Sequence, residues 1–146
     1  MLRGNALAKV DEKGRLKLPA VFRSIIEPRY GREFFVTSFR GDSVHLYPLE
    51  VYKAFEKRLC QTSRVGSLVN RLQDAVNYFG QNAEMDTQGR ILIHPLLRTS
   101  AGISGKVAVL GKQEYLVVWN RETVEKRLKA KPLTDADLDD LAALGI

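Results

Sequence analysis

The sequence predicts a mainly β protein with short helices, built from two ββαββ repeats, and three observations carry that expectation. Residues 8–19, AKVDEKGRLKLP, return seventy-five positions later as AEMDTQGRILIH, residues 83–94, without a gap. Each copy places a Gly-containing polar turn between two short runs of alternating apolar residues, the pattern of a tight strand–turn–strand unit. Each then switches to apolar residues at helical spacing before returning to strand-like alternation. A self-similar period is the first feature to establish, because missing it misreads the whole fold.

The elements follow in order. Residues 7–10 and 16–18 flank Asp11-Glu12-Lys13-Gly14 and read as two strands around a turn, with Gly14 where a positive φ is needed. Pro19 opens a short helix whose apolar residues Val21, Phe22, Ile25 and Ile26 keep helical spacing. Residues 34–39 and 43–47 form a second strand pair around Arg40-Gly41-Asp42, with Val44 and Leu46 on one face and Ser43, His45 and Tyr47 on the other.

The second copy repeats this with strands at 84–85 and 91–93 around Asp86-Thr87-Gln88-Gly89, a helix from Pro95 to Arg98, and strands at 107–110 and 115–119. A second matching block, LYPLE at 46–50 against VWNRE at 118–122, is offset by seventy-two. The three-residue difference fits a longer loop around Pro28-Arg29-Tyr30-Gly31. Each copy ends in a helix, from Pro48 to Leu59 and from an Asn120 cap to Leu128.

A further helix is expected over 68–79, with Leu68, Val69, Leu72, Ala75, Val76 and Phe79 on one face, as packing or oligomer surface. The tail over 134–144 reads either as a weak acidic helix or as a frayed end. The expected organisation is a first repeat over 5–50, a helical connector over 51–78, a second repeat over 79–122, and a C-terminal helix with an acidic tail over 123–146.

Composition narrows the function classes. At 146 residues, 45% hydrophobic and 27% charged, the chain is an ordinary globular protein whose half-size repeats must share a core. No apolar run approaches a membrane span, Met1-Leu2-Arg3-Gly4 is no signal peptide, and the single Cys60 can form no internal disulfide, which together point to the cytoplasm. Cys60 itself reads as a small buried hydrophobe.

Net charge is +6 but uneven. Residues 134–146 carry four Asp and no Lys or Arg, leaving 23 basic against 13 acidic side chains, +10, on residues 1–133. A body so charged favours polyanions, of which nucleic acid is the commonest in a cytoplasm.

The chemistry concentrates in the two turns. Asp11 and Arg15 stand at the shoulders of the first, Asp86 and Arg90 at those of the second, with Gly14 and Gly89 completing each loop. Two readings of this pattern compete. In one, Asp caps turn N–H groups and Arg pairs with it, which holds the loop and nothing more. In the other, Asp fixes the guanidinium fork so that it meets guanine O6 and N7 at little entropic cost. The rim of Lys9, Lys13 and Lys17 around Arg15 favours the second, because such a rim neutralises phosphates. The copies differ: residues 9–17 carry a net +2 and residues 84–92 a net −1. The first loop is therefore the expected DNA-binding one, with the second supporting the barrel, an oligomer contact or a minor share of binding.

His45 and His94 have no Cys, Asp or second His at ligand spacing and are expected as satisfied or exposed histidines. With no nucleophile elbow, phosphate-cradling Gly loop or CxxC, no enzyme, metal site or cofactor is expected.

With these residues in place, the chain resembles the MraZ family, bacterial relatives of the AbrB and MazE regulators. The resemblance rests on VDEKGRLKLP at 10–19, on MDTQGRILI at 85–93 and on the opening MLRG, and it spans about residues 1–125. It implies a double-split, swapped-hairpin β-barrel and a ring-shaped homo-oligomer. It also implies a regulator, expected as a nucleoid-associated repressor, that binds short direct repeats in double-stranded DNA upstream of its own division and cell-wall gene cluster. The family's functional positions fall on Asp11, Arg15, Asp86 and Arg90. Arg3, Lys9, Lys13 and Lys17 complete the expected DNA-contacting set. His94, where relatives usually carry Pro, and Asn120, in place of Asp after the aromatic, are departures. The competing expectation is an antitoxin-like barrel that binds a protein partner without reading DNA.

Overall fold

The computed structural model describes residues 1–62 and 66–146; residues 63–65 of the expected connector lie outside the described residues. Eight strands, β1 (Asn5–Val10), β2 (Arg15–Lys17), β3 (Glu33–Thr37), β4 (Val44–Pro48), β5 (Gln81–Glu84), β6 (Arg90–Leu92), β7 (Gly105–Lys112) and β8 (Tyr115–Asn120), form one antiparallel sheet. Six helices accompany them among the described residues: α1 (Ala20–Tyr30), α2 (Leu49–Gln61), α3 (Ser67–Tyr78), α4 (Pro95–Ala101), α5 (Arg121–Ala130) and α6 (Asp135–Ala143).

The strand order β5-β3-β4-β8-β7-β1-β2-β6 interleaves the two repeats. The first strand of each copy pairs with the third strand of the other, β1 with β7 and β5 with β3. The copies also meet along two self-complementary ladders. In β2–β6, Leu16 faces Ile91 while Arg15 faces Leu92 and Lys17 faces Arg90. In β4–β8, His45 faces Val117 between Val44–Val118 and Leu46–Leu116. Each ladder is centred on a pair of equivalent residues, so an approximate two-fold axis relates the repeats. The sheet curls into a nearly closed barrel whose seam lies between β5 and β6. Even there the Asp86 N–H donates to the Arg90 carbonyl at 2.9 Å, as Asp11 N–H does to Arg15 at 3.0 Å. This is the swapped-hairpin, double-split barrel that the resemblance implied.

The core fills the barrel with equivalent residues from both copies. Leu16 with Ile91, Leu18 with Ile93, and Phe22 with Leu97 are all at most 2% exposed, alongside Phe34, Val36, Val109 and Val118. Helices α1 and α4 thus close the barrel through Phe22 and Ile26 and through Leu97 and Ala101, while Val21 and Ile25 of the expected apolar face of α1 stay exposed.

Two local expectations are corrected, and one sheet face gains a cover. Residues 28–30 are the last turn of α1 and not a loop, so the repeats differ in helix length, eleven residues against seven. Pro28 is tolerated because its ring costs only one i→i−4 bond near the helix end, and Gly31 at φ +83° then stops the helix. The outward face of β4 is buried too, because α2 lays Tyr52 and Phe55 over Tyr47, which stacks on Tyr115 with centroids 4.5 Å apart. Cys60 is exposed at the end of α2.

The tail resolves into helix α6. Its capping box pairs Asp137 N–H with the Thr134 hydroxyl and Thr134 N–H with the Asp137 carboxylate, although none of the helix is buried. Asn120 caps α5, its side-chain oxygen accepting from Thr123 N–H at 3.0 Å. Among the described residues no helix is long and apolar enough to cross a membrane.

Candidate nucleic-acid interface

Each Asp–Arg turn is built the same way. The Gly14 N–H closes the turn onto the Asp11 carbonyl at 3.0 Å, and Gly14 sits at φ +85°, a conformation that side-chain-bearing residues rarely adopt. One Asp11 carboxylate oxygen accepts the N–H groups of Lys13 and Arg15 at 3.0 and 2.9 Å, and the other accepts Arg15 Nε–H at 2.8 Å. In the second turn Asp86 Oδ1 accepts the N–H groups of Gln88 and Arg90, both at 2.9 Å, while Oδ2 accepts Arg90 Nε–H at 2.7 Å, and Gly89 lies at φ +77°.

Asp is needed because its short carboxylate reaches forward two and four residues at once, which Glu would overshoot. Arginine is needed because Nε satisfies the carboxylate while both Nη groups stay unpaired among the described residues. The arginine side chains are 30% and 27% exposed, so solvent and ligands reach them.

The N–H groups of Arg15 and Arg90, with their guanidinium groups as a further cause, hold the Asp11 and Asp86 carboxyls below the ordinary aspartate value of 3.8. A carboxyl lowered by folding stabilises the fold fully above its unfolded value, and that contribution is lost as pH falls through the lowered value. Both turns are therefore expected to keep their order at every pH above 3.8 and to open only below it. The Arg15 Nε–H resonance, followed by NMR against pH, checks this; its loss near neutral pH would contradict the geometry.

Each turn rests on the other copy. A side chain at Gly14 would collide with the guanidinium of Arg98 on α4, and one at Gly89 with that of Arg23 on α1. The Gly14 carbonyl accepts Ile93 N–H at 2.9 Å, and the Gly89 carbonyl accepts Leu18 N–H at 2.8 Å. Arg23 further donates to the Thr87 carbonyl at 3.3 Å and pairs with Glu27 at 2.8 Å. Position 102, the counterpart of Glu27, is glycine, and the buried Nε of Arg98 has no partner. The matched arginines at 23 and 98 were the sequence signal of this support, and reading the turns in isolation misses it.

The expected site residues fall into three groups. Lys9, Lys13 and Arg15 lie on or next to the first turn, while Lys17 is two residues beyond Arg15 at the Arg90 end of the β2–β6 ladder; the three lysines are exposed. Arg90 lies across from Lys17, so the second turn stands at the opposite end of the short β2–β6 ladder. Arg3 is separated from both, because it precedes the far end of β1, six residues before Lys9 and roughly 20 Å along an extended strand.

The two histidines are neither exposed nor fully satisfied. His45 is 9% exposed among Phe39, Tyr47 and Tyr115, its Nδ1 has no partner, and desolvation brings its pKa to about 4. His94 is buried, with Nε2 unpartnered and its pKa lowered by desolvation. Among the described residues no group of three metal-ligating side chains converges.

Comparison with known proteins follows from the same residues. The family model described as "MraZ protein, putative antitoxin-like" matches residues 80–141. A protein of Acidobacterium capsulatum named transcriptional regulator MraZ is 43% identical over 146 residues, covering all of both chains. A protein of the same name from Koribacter versatilis is 43% identical over 147 residues, again covering both chains fully. One from Klebsiella pneumoniae is 31% identical over 130 residues, 88% of this chain and 86% of the relative.

Proposed function

This chain belongs to the MraZ family, and on that footing we propose that it is a sequence-specific DNA-binding transcriptional regulator that reads duplex DNA through the Arg15 turn. The carrying observation is the clamped but unfinished arginine: Asp11 engages Nε of Arg15 and leaves both Nη groups unpaired among the described residues, with Lys9, Lys13 and Lys17 exposed on the turn and its flanking strands. A guanidinium so held is preset for the paired acceptors of guanine in the major groove, and the lysines supply phosphate contacts that fix register. Asp11, Gly14, Asp86 and Gly89 organise the loops. Arg90 takes a smaller share, because its loop carries net −1.

One loop with a few phosphate contacts binds only weakly, in the region of ~10⁻⁴ to 10⁻⁶ M. The reading therefore includes a ring-shaped homo-oligomer that engages several loops at once and gains avidity of about 10² to 10⁴. Support comes from the apolar side chains that the protomer leaves exposed, among them Leu7, Val21, Leu68, Tyr78 and Leu92. Loops repeated in one sense around a ring suit short direct repeats, spaced by about one helical turn of 10 to 10.5 base pairs. The finer reading is a repressor of its own division and cell-wall gene cluster, acting in the cytoplasm at the nucleoid.

Electrophoretic shifts with the DNA upstream of its own gene test the reading, against a scrambled duplex and with Arg15→Ala as the variant. Absence of any salt-dependent retention on DNA would favour a protein-binding barrel instead. Lys13→Ala is expected to weaken binding to all sequences alike and to flatten the salt slope by about one unit, as loss of one phosphate contact does. Titrations over a salt series measure it; a loss confined to one operator position would make Lys13 a base reader.

A further inference from the structure

We propose that Lys9 and Lys106, with Arg121 beside them, form a basic rung that grips the phosphate backbone of the duplex next to the Arg15 turn. The proposal rests on the DNA-reading function above and extends it to residues of the second repeat.

The observation is a like-charge pair. Lys9 on β1 stands directly opposite Lys106 on β7. Opposed residues of an antiparallel ladder share a face with Cβ atoms about 4.5 to 5.5 Å apart, where like charges destabilise the sheet. That face is the outer one, because the adjacent rung, Ala8 with Val107, turns inward and Val107 is fully buried. Both lysines are exposed, and neither makes a salt bridge or a side-chain hydrogen bond among the described residues. Of the sheet's other like-charge pairs, Glu33 opposite Glu84 is anionic and on the far strands β3 and β5, and the other cationic one, Lys17 opposite Arg90, is relieved by Asp86 at 2.7 Å. No acid relieves Lys9 and Lys106, so the pair carries an uncompensated repulsion that an anion would remove.

The rung continues across β8. Val107 faces Asn120, which places the next residue, Arg121, beside Lys106, and both line one groove with Ser104 and Asn120. Of the acids in that groove, Glu122 is paired with Lys126 at 3.1 Å and Glu125 reaches Arg121 at 3.5 Å, so the two lysines are the free charges. Ser104 also lines a second groove that runs to Asp11, Glu12 and Arg98 at the foot of the turn. Lys9 precedes Asp11 by two residues, roughly 7 Å of strand. That lies within the span of a major groove about 12 Å wide, so Arg15 on a base edge and the rung on the flanking phosphates can serve one duplex. Continuity with Lys13 and Arg15 favours DNA over the other polyanion in reach, the acidic helix α6 of a second copy.

The test uses the full chain carrying Lys106→Gln, with binding measured over a salt series on the duplex upstream of its own gene and on a scrambled one. Affinity for both duplexes is expected to fall by the same factor, and the slope of log K against log salt by about 0.9. Without DNA, the melting midpoint should rise by about 1 to 3 °C as the lysine repulsion is relieved. Lys106→Arg should keep the wild-type slope, and Lys9→Gln should reproduce the loss. An unchanged slope in Lys106→Gln, where Arg15→Ala loses specific binding, overturns the rung and leaves the DNA reading standing. Unchanged binding in Arg15→Ala as well overturns both. A change in sedimentation of the DNA-free particle with an unchanged salt slope would overturn the rung in favour of the second copy's α6.

Discussion

Replacing Arg15 by alanine is expected to weaken specific DNA binding by about 1 to 3 kcal/mol for each engaged loop, while scrambled DNA is affected far less. The asymmetry follows from the division of labour in the turn. The guanidinium spends Nε on Asp11 and keeps both Nη groups unpaired, which on the proposed reading serve a base edge while the lysines hold phosphates irrespective of sequence. The barrel should survive, because Asp11 still accepts the N–H groups of Lys13 and Arg15 after the side chain is gone. On the proposed ring, loss at every loop compounds, and the shift at a multi-box operator should exceed that at a single box. Arg90→Ala, with the same turn geometry but a loop of net −1, is expected to cost less. Anisotropy titrations at matched salt decide both points: full affinity in a folded Arg15→Ala variant would sink the assignment, and equal losses at 15 and 90 would show that loop charge does not select the reader.

Phe22→Ala should lower the stability of the fold by about 3 to 5 kcal/mol. Phe22 is 1% exposed, among the largest fully buried side chains, and it closes the barrel from α1 where Leu97 does so from α4. Truncation removes a ring's worth of apolar burial and leaves a void that the sheet cannot close, since strands from both copies pack around it. Domains of this size are stable by only about 5 to 15 kcal/mol, so the variant should be close to unfolding at physiological temperature. Urea denaturation should show a lower midpoint with an unchanged slope, and a loss under about 1 kcal/mol would mean that the site repacks.

The units of the fold were legible in the sequence because each is local. Gly14 and Gly89 mark turns that demand positive φ, apolar period switches between 2 and 3.6 mark strand and helix, and the recurrence at seventy-five residues marks the repeat. What local signals do not carry is the partner of each strand. Nothing within β2 specifies that it pairs with β6, nor within β1 that it pairs with β7; those are choices between distant segments, for which the family resemblance supplied the barrel type but no pairing.

Period 2 divided the faces of β4 but could not show that the face of His45 and Tyr47 is buried as well, because that depends on α2 lying over it. At the site, the Asp–Arg clamp followed from reach and spacing alone. The stacking of Arg98 and Arg23 on Gly14 and Gly89 did not, because it depends on the exchange of hairpins. The Lys9–Lys106 rung was hidden for the same reason, its members being nearly a hundred residues apart in the chain.

The two-fold relation between the repeats has an evolutionary reading. At Leu16–Ile91 and His45–Val117 the copies meet their own counterparts, so a change of size on one side must be absorbed by its twin, and the halves are bound to drift in step. Their turns face no such twin. A duplicated half-barrel of this kind therefore inherits a fixed frame and a spare loop. One loop can then change without reopening the frame, and the two loops do differ, with net charges of +2 and −1.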